Sequence, residues 1–245
     1  MRYGVISDIH SNLEALDAVM ALFKKERIQS ILCLGDIVGY GPNPNECVDR
    51  ISGLKKVQST AGSHDYASVG LKDMTWFNDM AVRALTWTKR KLTEKSRAFL
   101  MRLPRLVDGS AFTLAHGSPR DPIDEYLLSS RQFLDNLPYF RTPVSFIGHT
   151  HVPAVFYTDS LGVIQNKPLP EGRAVSFDPE GKTIVNVGSV GQPRDGDPRA
   201  CAVIYDSEKR QVKMVRCAYD IESVQKKMRQ ASLPLYLIER LGYGR

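Results

Sequence analysis

The chain has five histidines, His10, His64, His116, His149 and His151, and each stands at or just after the end of a short apolar run. Asp8 and His10 follow "YGVIS", Asp36 follows "ILCLG", His64 follows "VQSTAGS", His116 follows "FTLA", and His149 and His151 follow "VSFIG". Imidazole and carboxylate ligands suit Zn, Mn or Fe, whereas a thiolate site would need cysteines. Asp8, His10, Asp36, His116, His149 and His151 are too many ligands for one ion. Two ions roughly 3.5–4 Å apart use them all if one carboxylate bridges, and such a pair acidifies a bound water and clamps a phosphoryl group for in-line attack. A histidine beside the pair, but not on it, could protonate the leaving oxygen. Any one of these histidines alone reads as a polar turn residue. All five at such positions do not, because a chain without a site would place some on helix faces.

The elements that must position them read as alternating strands and helices. The apolar runs "RYGVIS", "QSILCLG", "KKVQSTAG", "AFTLAHG" and "TPVSFIGH" are brief, β-prone and end in small residues. Ligands of open α/β sheets collect beyond the carboxyl ends of strands. Asp8 and His10 are two apart, as are His149 and His151, so an extended backbone puts both members of a pair on one side. Gly35 and Gly148 allow sharp turns there. Between the first two runs, Ser11 and Glu14 read as a capping box, and Leu13, Leu16, Val19, Met20 and Phe23 form one helical face. Residues 45–51, 74–92, 96–103 and 129–137 read as further helices, with Trp76, Phe77 and Trp87 of the second assigned to the core. After residue 150 the pattern changes to strands joined by turns, with "YDSEKRQVK" a hairpin, and closes on helices at 221–230 and 235–241. No Pro/Gly/Ser linker intervenes, which predicts one domain over residues 1–245 with two packed sheets.

Composition sets the class. Of 245 residues, 42% are hydrophobic and 24% charged, ordinary for a globular protein. The net charge of +6 fits a handler of phosphate-bearing molecules, and the charges form no block of the kind that binds nucleic acid. Cys33, Cys47, Cys201 and Cys217 form no C-x-x-C pair and read as free thiols of a reducing compartment. The opening "MRYGVISDIH" reads as a strand and not a signal peptide, and no apolar run approaches membrane-spanning length. A cytoplasmic protein without membrane partners is expected; the oligomeric state is not legible.

"DIH" at residues 8–10, "GD" at 35–36, "GSHD" at 62–65, His116 and "GHTH" at 148–151 resemble, in order, the five blocks of the calcineurin-like metallophosphoesterases. "GDIVGYGPNPNECVDR", "HGSPRDP" and "GSVGQPRDGDPRA" are similar to the bacterial and archaeal phosphodiesterase branch that includes dinucleotide-polyphosphate hydrolases. The resemblance implies an α/β fold, a four-layer α/β/β/α sandwich of two mixed sheets. It implies two divalent transition-metal ions, Mn, Fe or Zn. One would take Asp8, His10, His151 and the bridging Asp36; the other would take Asp36, His116, His149 and residue 63. His64 would be the general acid or transition-state stabiliser, and Asp65 would orient it. The implied activity is hydrolysis of a phosphodiester or phosphoanhydride in a small phosphorylated substrate, a nucleotide or dinucleotide polyphosphate. The alternatives are a phosphoprotein phosphatase or nuclease of the same fold, nucleic acid being the less expected partner, and a scaffold with a degenerate site.

The chain departs from the family's G-N-H-[DE] block at Ser63. The usual asparagine lends a carbonyl oxygen to the second metal and an amide N–H to phosphate, whereas serine offers one oxygen on a shorter stem. Either the second ion binds more weakly and turnover survives, or the site serves binding alone; the completeness of the other ligands favours the first. Tyr40, in the Gly/Pro-rich rim at 39–46, Arg120 and Arg194 are the candidate substrate contacts, the arginines because a guanidinium matches two phosphate oxygens.

Overall fold

A computed structural model describes residues 1–159, 161–178 and 180–245. The chain runs β1 (Arg2–Ile6), α1 (Leu13–Lys25), β2 (Ser30–Cys33), α2 (Pro44–Ser52), β3 (Val57–Ser59), α3 (Ser63–Val69), α4 (Asp79–Lys91), α5 (Glu94–Met101), β4 (Leu106–Asp108), β5 (Thr113–Ala115), α6 (Ser130–Asn136) and β6 (Val144–Ile147). It continues through β7 (Ala154–Thr158), β8 (Ile164–Pro168), β9 (Ala174–Ser176), β10 (Thr183–Asn186), β11 (Ala200–Asp206), β12 (Gln211–Cys217), α7 (Ile221–Gln230) and α8 (Leu235–Glu239). The turn expected at residues 159–162 includes Ser160, which lies outside the described residues.

Two six-stranded sheets form, in the orders β3-β2-β1-β11-β12-β9 and β4-β5-β6-β10-β7-β8. Both are mixed: β1, β2 and β3 run parallel, as do β5, β6 and β10, while the remaining pairs are antiparallel. Strand alternation sorts the apolar side chains into layers. In β11, Cys201, Val203 and Tyr205 face the second sheet and join Val5, Leu32, Leu114, Phe146 and Val185 there. Ala200, Ala202 and Ile204 face the other way, with Leu16, Val19 and Phe23 of α1. On the far face of the second sheet, Phe133 of α6 packs with Phe156 and Ile184. Each fully buried side chain of this size contributes about 1.5–3 kcal/mol. The result is the expected α/β/β/α sandwich. Among the described residues no helix is long and apolar enough to cross a membrane, and all four cysteines are free and buried.

Several local expectations are corrected. Helix α1 is capped by Asn12, whose side chain accepts from Ala15 N at 3.1 Å, and not by a Ser11–Glu14 box. Ser11 instead has a left-handed backbone, φ 55°. The helix expected from residue 74 begins at Asp79, because Asn78 caps it by accepting from Ala81 N at 3.0 Å. Trp76 and Phe77 therefore precede the helix, and Trp76 is 87% exposed instead of core. Trp87 is half-buried against the cluster formed by α4, α7 and α8. Ser63 to Val69, read as a loop, is the short helix α3.

Candidate metal centre

The carboxyl ends of the parallel strands of both sheets meet. Asp8 and His10 follow β1, Asp36 follows β2, Ser63 and His64 open α3 after β3, His116 follows β5, and His149 and His151 follow β6. Backbone hydrogen bonds zip these loops together. Asp8 N donates to Gly35 O at 3.1 Å, His10 N to Asp36 O at 2.9 Å, and Gly148 N to His116 O at 2.9 Å. The loop after β10 closes the ring, with Val190 N donating to Ser7 O at 3.0 Å and Gly191 N to Asp8 O at 2.9 Å.

The backbone at these ends is strained. Asp8, His10, Ser11, Asp36, Tyr40, His149 and His151 all have left-handed φ, between 49° and 67°. Non-glycine residues adopt this region rarely, at a cost of about 1–3 kcal/mol each, and cluster there at functional sites. The extended backbone expected for the two D-x-H and H-x-H pairs is thus not what brings their side chains together. Gly35 supplies a turn at φ 85°. Gly148 permits close approach: a Cβ there would meet Asp8 Oδ2 at 2.6 Å and strike Ser7 Oγ.

Three groups of side chains offer ligand atoms within 4.8 Å of one another: Asp8, His10 and His151; Asp36, His116 and His149; and His10, Asp36 and His64. Each aspartate is anchored through one oxygen and presents the other. Asp8 Oδ2 accepts from His149 N at 3.0 Å, and Asp36 Oδ1 accepts from His64 N at 2.8 Å. Asp36 Oδ2 then lies 3.7 Å from His10 Nε2 and 3.3 Å from His116 Nε2, between the first two groups. Asp8 Oδ1 lies 3.2 Å from His151 Nε2 and is buried without a hydrogen-bond partner.

Three imidazoles are oriented from behind by main-chain carbonyls. His10 Nδ1 meets Val38 O at 3.3 Å, His116 Nδ1 meets Leu34 O at 2.9 Å, and His151 Nδ1 meets Gln192 O at 2.6 Å. A carbonyl only accepts, so these Nδ1 atoms carry the protons and the neutral rings turn Nε2 lone pairs inward. His10 Nε2 and His151 Nε2 stand 3.2 Å apart, lone pair facing lone pair. That contact and the orphaned Asp8 oxygen both call for a cation, so the residues present fit divalent metal ions.

Charge agrees. Burial alone would raise the carboxyls of Asp8 and Asp36, but the imidazoles of His151 and His116 hold them well below the usual carboxylate range. Burial drives His10 and His151 down, and drives His149 down to about 3. His116 goes the other way: burial lowers it, but the charge of Asp36 outweighs this and pushes it up to about 9.

His64 sits in the first turn of α3, on the cavity side. Its ring packs 4.3 Å from the Tyr40 centroid and edge-on to Phe77 at 5.0 Å. Burial lowers its pKa to about 4 against the pull of Asp36, leaving the ring neutral near pH 7. Asp65 does not orient that ring directly, which corrects the expectation. Its two oxygens accept from Val38 N at 3.1 Å and Gly62 N at 3.0 Å, tying the β2 loop to the start of α3. Burial and the charge of Asp36 raise its pKa to about 7. Ser63 Oγ is buried, lacks a hydrogen-bond partner, and belongs to a residue lining the cavity.

A cavity of about 530 Å³ opens over the cluster, lined on its inner side by Asp36, His64, His149 and His151. Tyr40 and Arg194 line it as expected. Arg120 does not. Its guanidinium is engaged by Glu125 and lies 3.5 Å from Asp135, so it braces the loop before α6. That loop carries Tyr126, whose ring stacks on His149 at 3.9 Å, and Asp124, which pairs with Lys72 at 2.7 Å. Trp76, Phe77, Tyr126, Lys72 and Arg240 line the cavity without having been singled out as contacts. For Trp76 and Phe77 the missed signal was the Asn78–Asp79 helix start, which leaves them in a connection.

This fold and cluster define a class. The chain belongs to the calcineurin-like phosphoesterase superfamily, whose domain matches residues 1–210. The family uses divalent metal ions in hydrolysing phosphoesters. The chain is 40% identical over 247 residues to the uncharacterised protein MJ0912 of Methanocaldococcus jannaschii, covering 99% of this chain and 98% of that one. It is also 40% identical to a metallophosphoesterase of known structure from Sphaerobacter thermophilus, with TM-score 0.89 over 100% of this chain and 99% of that one. The hypothetical protein PH1004 of Pyrococcus horikoshii, 20% identical, shares the fold with TM-score 0.82 over 100% and 98% of the two chains.

Proposed function

We propose that this protein is a single-domain phosphoesterase with two divalent transition-metal ions. Its substrate is a phosphodiester or phosphoanhydride of a small nucleotide, with dinucleotide polyphosphates foremost. The position of Asp36 Oδ2 supports this most, since it faces His10 Nε2 at 3.7 Å and His116 Nε2 at 3.3 Å as a shared ligand would. Asp8, His10 and His151 complete one ligand set, and His116, His149 and Ser63 the other. Bound ions polarise the phosphoryl group and acidify a water enough to attack near neutral pH.

The chain's own residues do the rest. Carbonyls of Leu34, Val38 and Gln192 fix three imidazoles in one tautomer. The neutral His64 ring donates its N–H to a phosphoryl or leaving oxygen, and Asp65 steadies it by bracing the backbone on either side. Arg194 engages phosphate oxygens. Trp76, Phe77 and Tyr126 offer a planar base an aromatic wall, where stacking contributes about 1–3 kcal/mol. Four buried free cysteines fit a reducing, cytoplasmic setting.

The test is turnover of bis-p-nitrophenyl phosphate and diadenosine tetraphosphate by protein loaded with Mn, Fe or Zn. Hydrolysis of both, abolished by chelation, is expected. Saturating metal with no turnover of either would leave the scaffold reading, which Ser63 in place of asparagine favours.

A further inference from the structure

The outer wall of the cavity holds two guanidiniums that have no carboxylate of their own. Arg194 comes from the connection between β10 and β11; Arg240 opens the turn Arg240–Gly242 after α8. Neither makes an ion pair among the described residues. The acidic groups that line the same cavity are engaged elsewhere, Asp36 in the histidine cluster and Asp124 with Lys72 at 2.7 Å. Arg194 donates Nη2 to Gln192 Oε1 at 3.0 Å, but its Nε is buried without a partner. Arg240 donates Nε to the main-chain carbonyl of Arg245. Burial, and next the positive charge of Arg194, lower the Arg240 pKa, so the two groups repel across the cavity. Half-buried like charges side by side are unfavourable in themselves, and an anion between them reverses the sign.

The segment that supplies Arg240 is firmly placed. Val224, Met228, Leu237 and Ile238 of α7 and α8, with Leu241, pack against Ala81 and Ala84 of α4 and against Tyr40. Lys227 pairs with Glu14 at 2.5 Å, fastening α7 to α1. This segment lies beyond residues 1–210, which match the family's domain.

We propose that Arg194 and Arg240 form a second anion subsite, which takes a phosphate beyond the one being hydrolysed. The inference rests on the phosphoesterase reading above and narrows its substrates to nucleoside di- and polyphosphates and dinucleotide polyphosphates. The scissile phosphate lies over the histidine cluster, the further phosphate lies between the guanidiniums, and the base rests on the aromatic wall.

Equilibrium binding to the full chain tests this, followed by tryptophan fluorescence because Trp76 stands on the cavity. AMP is compared with α,β-methylene-ADP, which resists hydrolysis. Wild type is expected to bind the diphosphate about tenfold or more tightly than AMP, the scale of one charge-assisted hydrogen bond. Arg240→Gln is expected to bring the two affinities together, and Arg240→Lys to retain part of the difference. An unchanged ratio in both variants overturns the proposal, as does a wild type that binds both ligands equally. If Arg240→Gln melts at lower temperature than wild type, Arg194→Gln carries the same comparison. Binding needs no turnover, so a wild type that discriminates the ligands but hydrolyses no phosphoester supports the subsite and sinks the catalytic reading.

Discussion

His64 and Ser63 are adjacent but invite opposite experiments. The His64 ring is buried over the cavity, and its own backbone N–H holds Asp36. His64→Ala keeps that N–H, so metal content should stay near wild type while kcat falls roughly 10²–10⁴-fold, the scale of a catalytic proton donor. Loss of metal in the mutant would instead make His64 a ligand, a role its place beside His10 and Asp36 permits. Ser63 Oγ has no partner within the protein. Ser63→Asn should tighten the weaker metal position and raise activity at limiting metal; identical metal titrations in the two proteins would show serine to be sufficient. At this scale the sequence was informative. All five histidines and both ligand aspartates converge, because metal ligands are chemically distinctive and the strand ends could be recognised from their apolar runs. What could not be read was local geometry. Asp65 faces Val38 N and Gly62 N, and Arg120 faces Glu125, through contacts with residues distant in sequence or hidden in a loop.

The elements explain both the precision of the site and the misreadings. Short loops after β1 and β2 are zipped to each other by backbone bonds, and seven left-handed non-glycine residues are held there by the surrounding packing. The helix at residues 74–92 was overextended because Trp76, Phe77 and Met80 continue its apolar spacing, whereas the Asn78 cap decides where it starts. Helix α3 was missed because it is only seven residues long and carries the site's polar side chains. The displaced start of α4 gives Trp76 its exposure at the cavity mouth. Trp76→Ala should therefore leave the melting temperature nearly unchanged, since the side chain is 87% exposed. It should raise KM for a nucleotide substrate about tenfold, on the scale of one lost stacking contact. Equal KM for the mutant and wild type would remove the aromatic wall from substrate binding.

In the whole molecule, the two sheets matter because each supplies part of the site. Asp8, His10 and Asp36 come from the first sheet, and His116, His149 and His151 from the second. The shared layer of Val5, Leu32, Leu114, Phe146 and Val203 holds the sheets in register, so the cluster forms when the sandwich does. The β-α then antiparallel pattern made this architecture legible, but the packing of α7 and α8 beside the cavity was not, since helix faces do not name their partners. The account centres on Asp36 as the ligand common to both sheets' contributions. The direct test is equilibrium metal binding, with Mn titrated into metal-free wild type and Asp36→Ala and followed by calorimetry. Two ions per chain are expected for wild type, with both positions weakened in the mutant. Unchanged binding in Asp36→Ala, or loss of only one ion with the other at wild-type affinity, would contradict the shared centre.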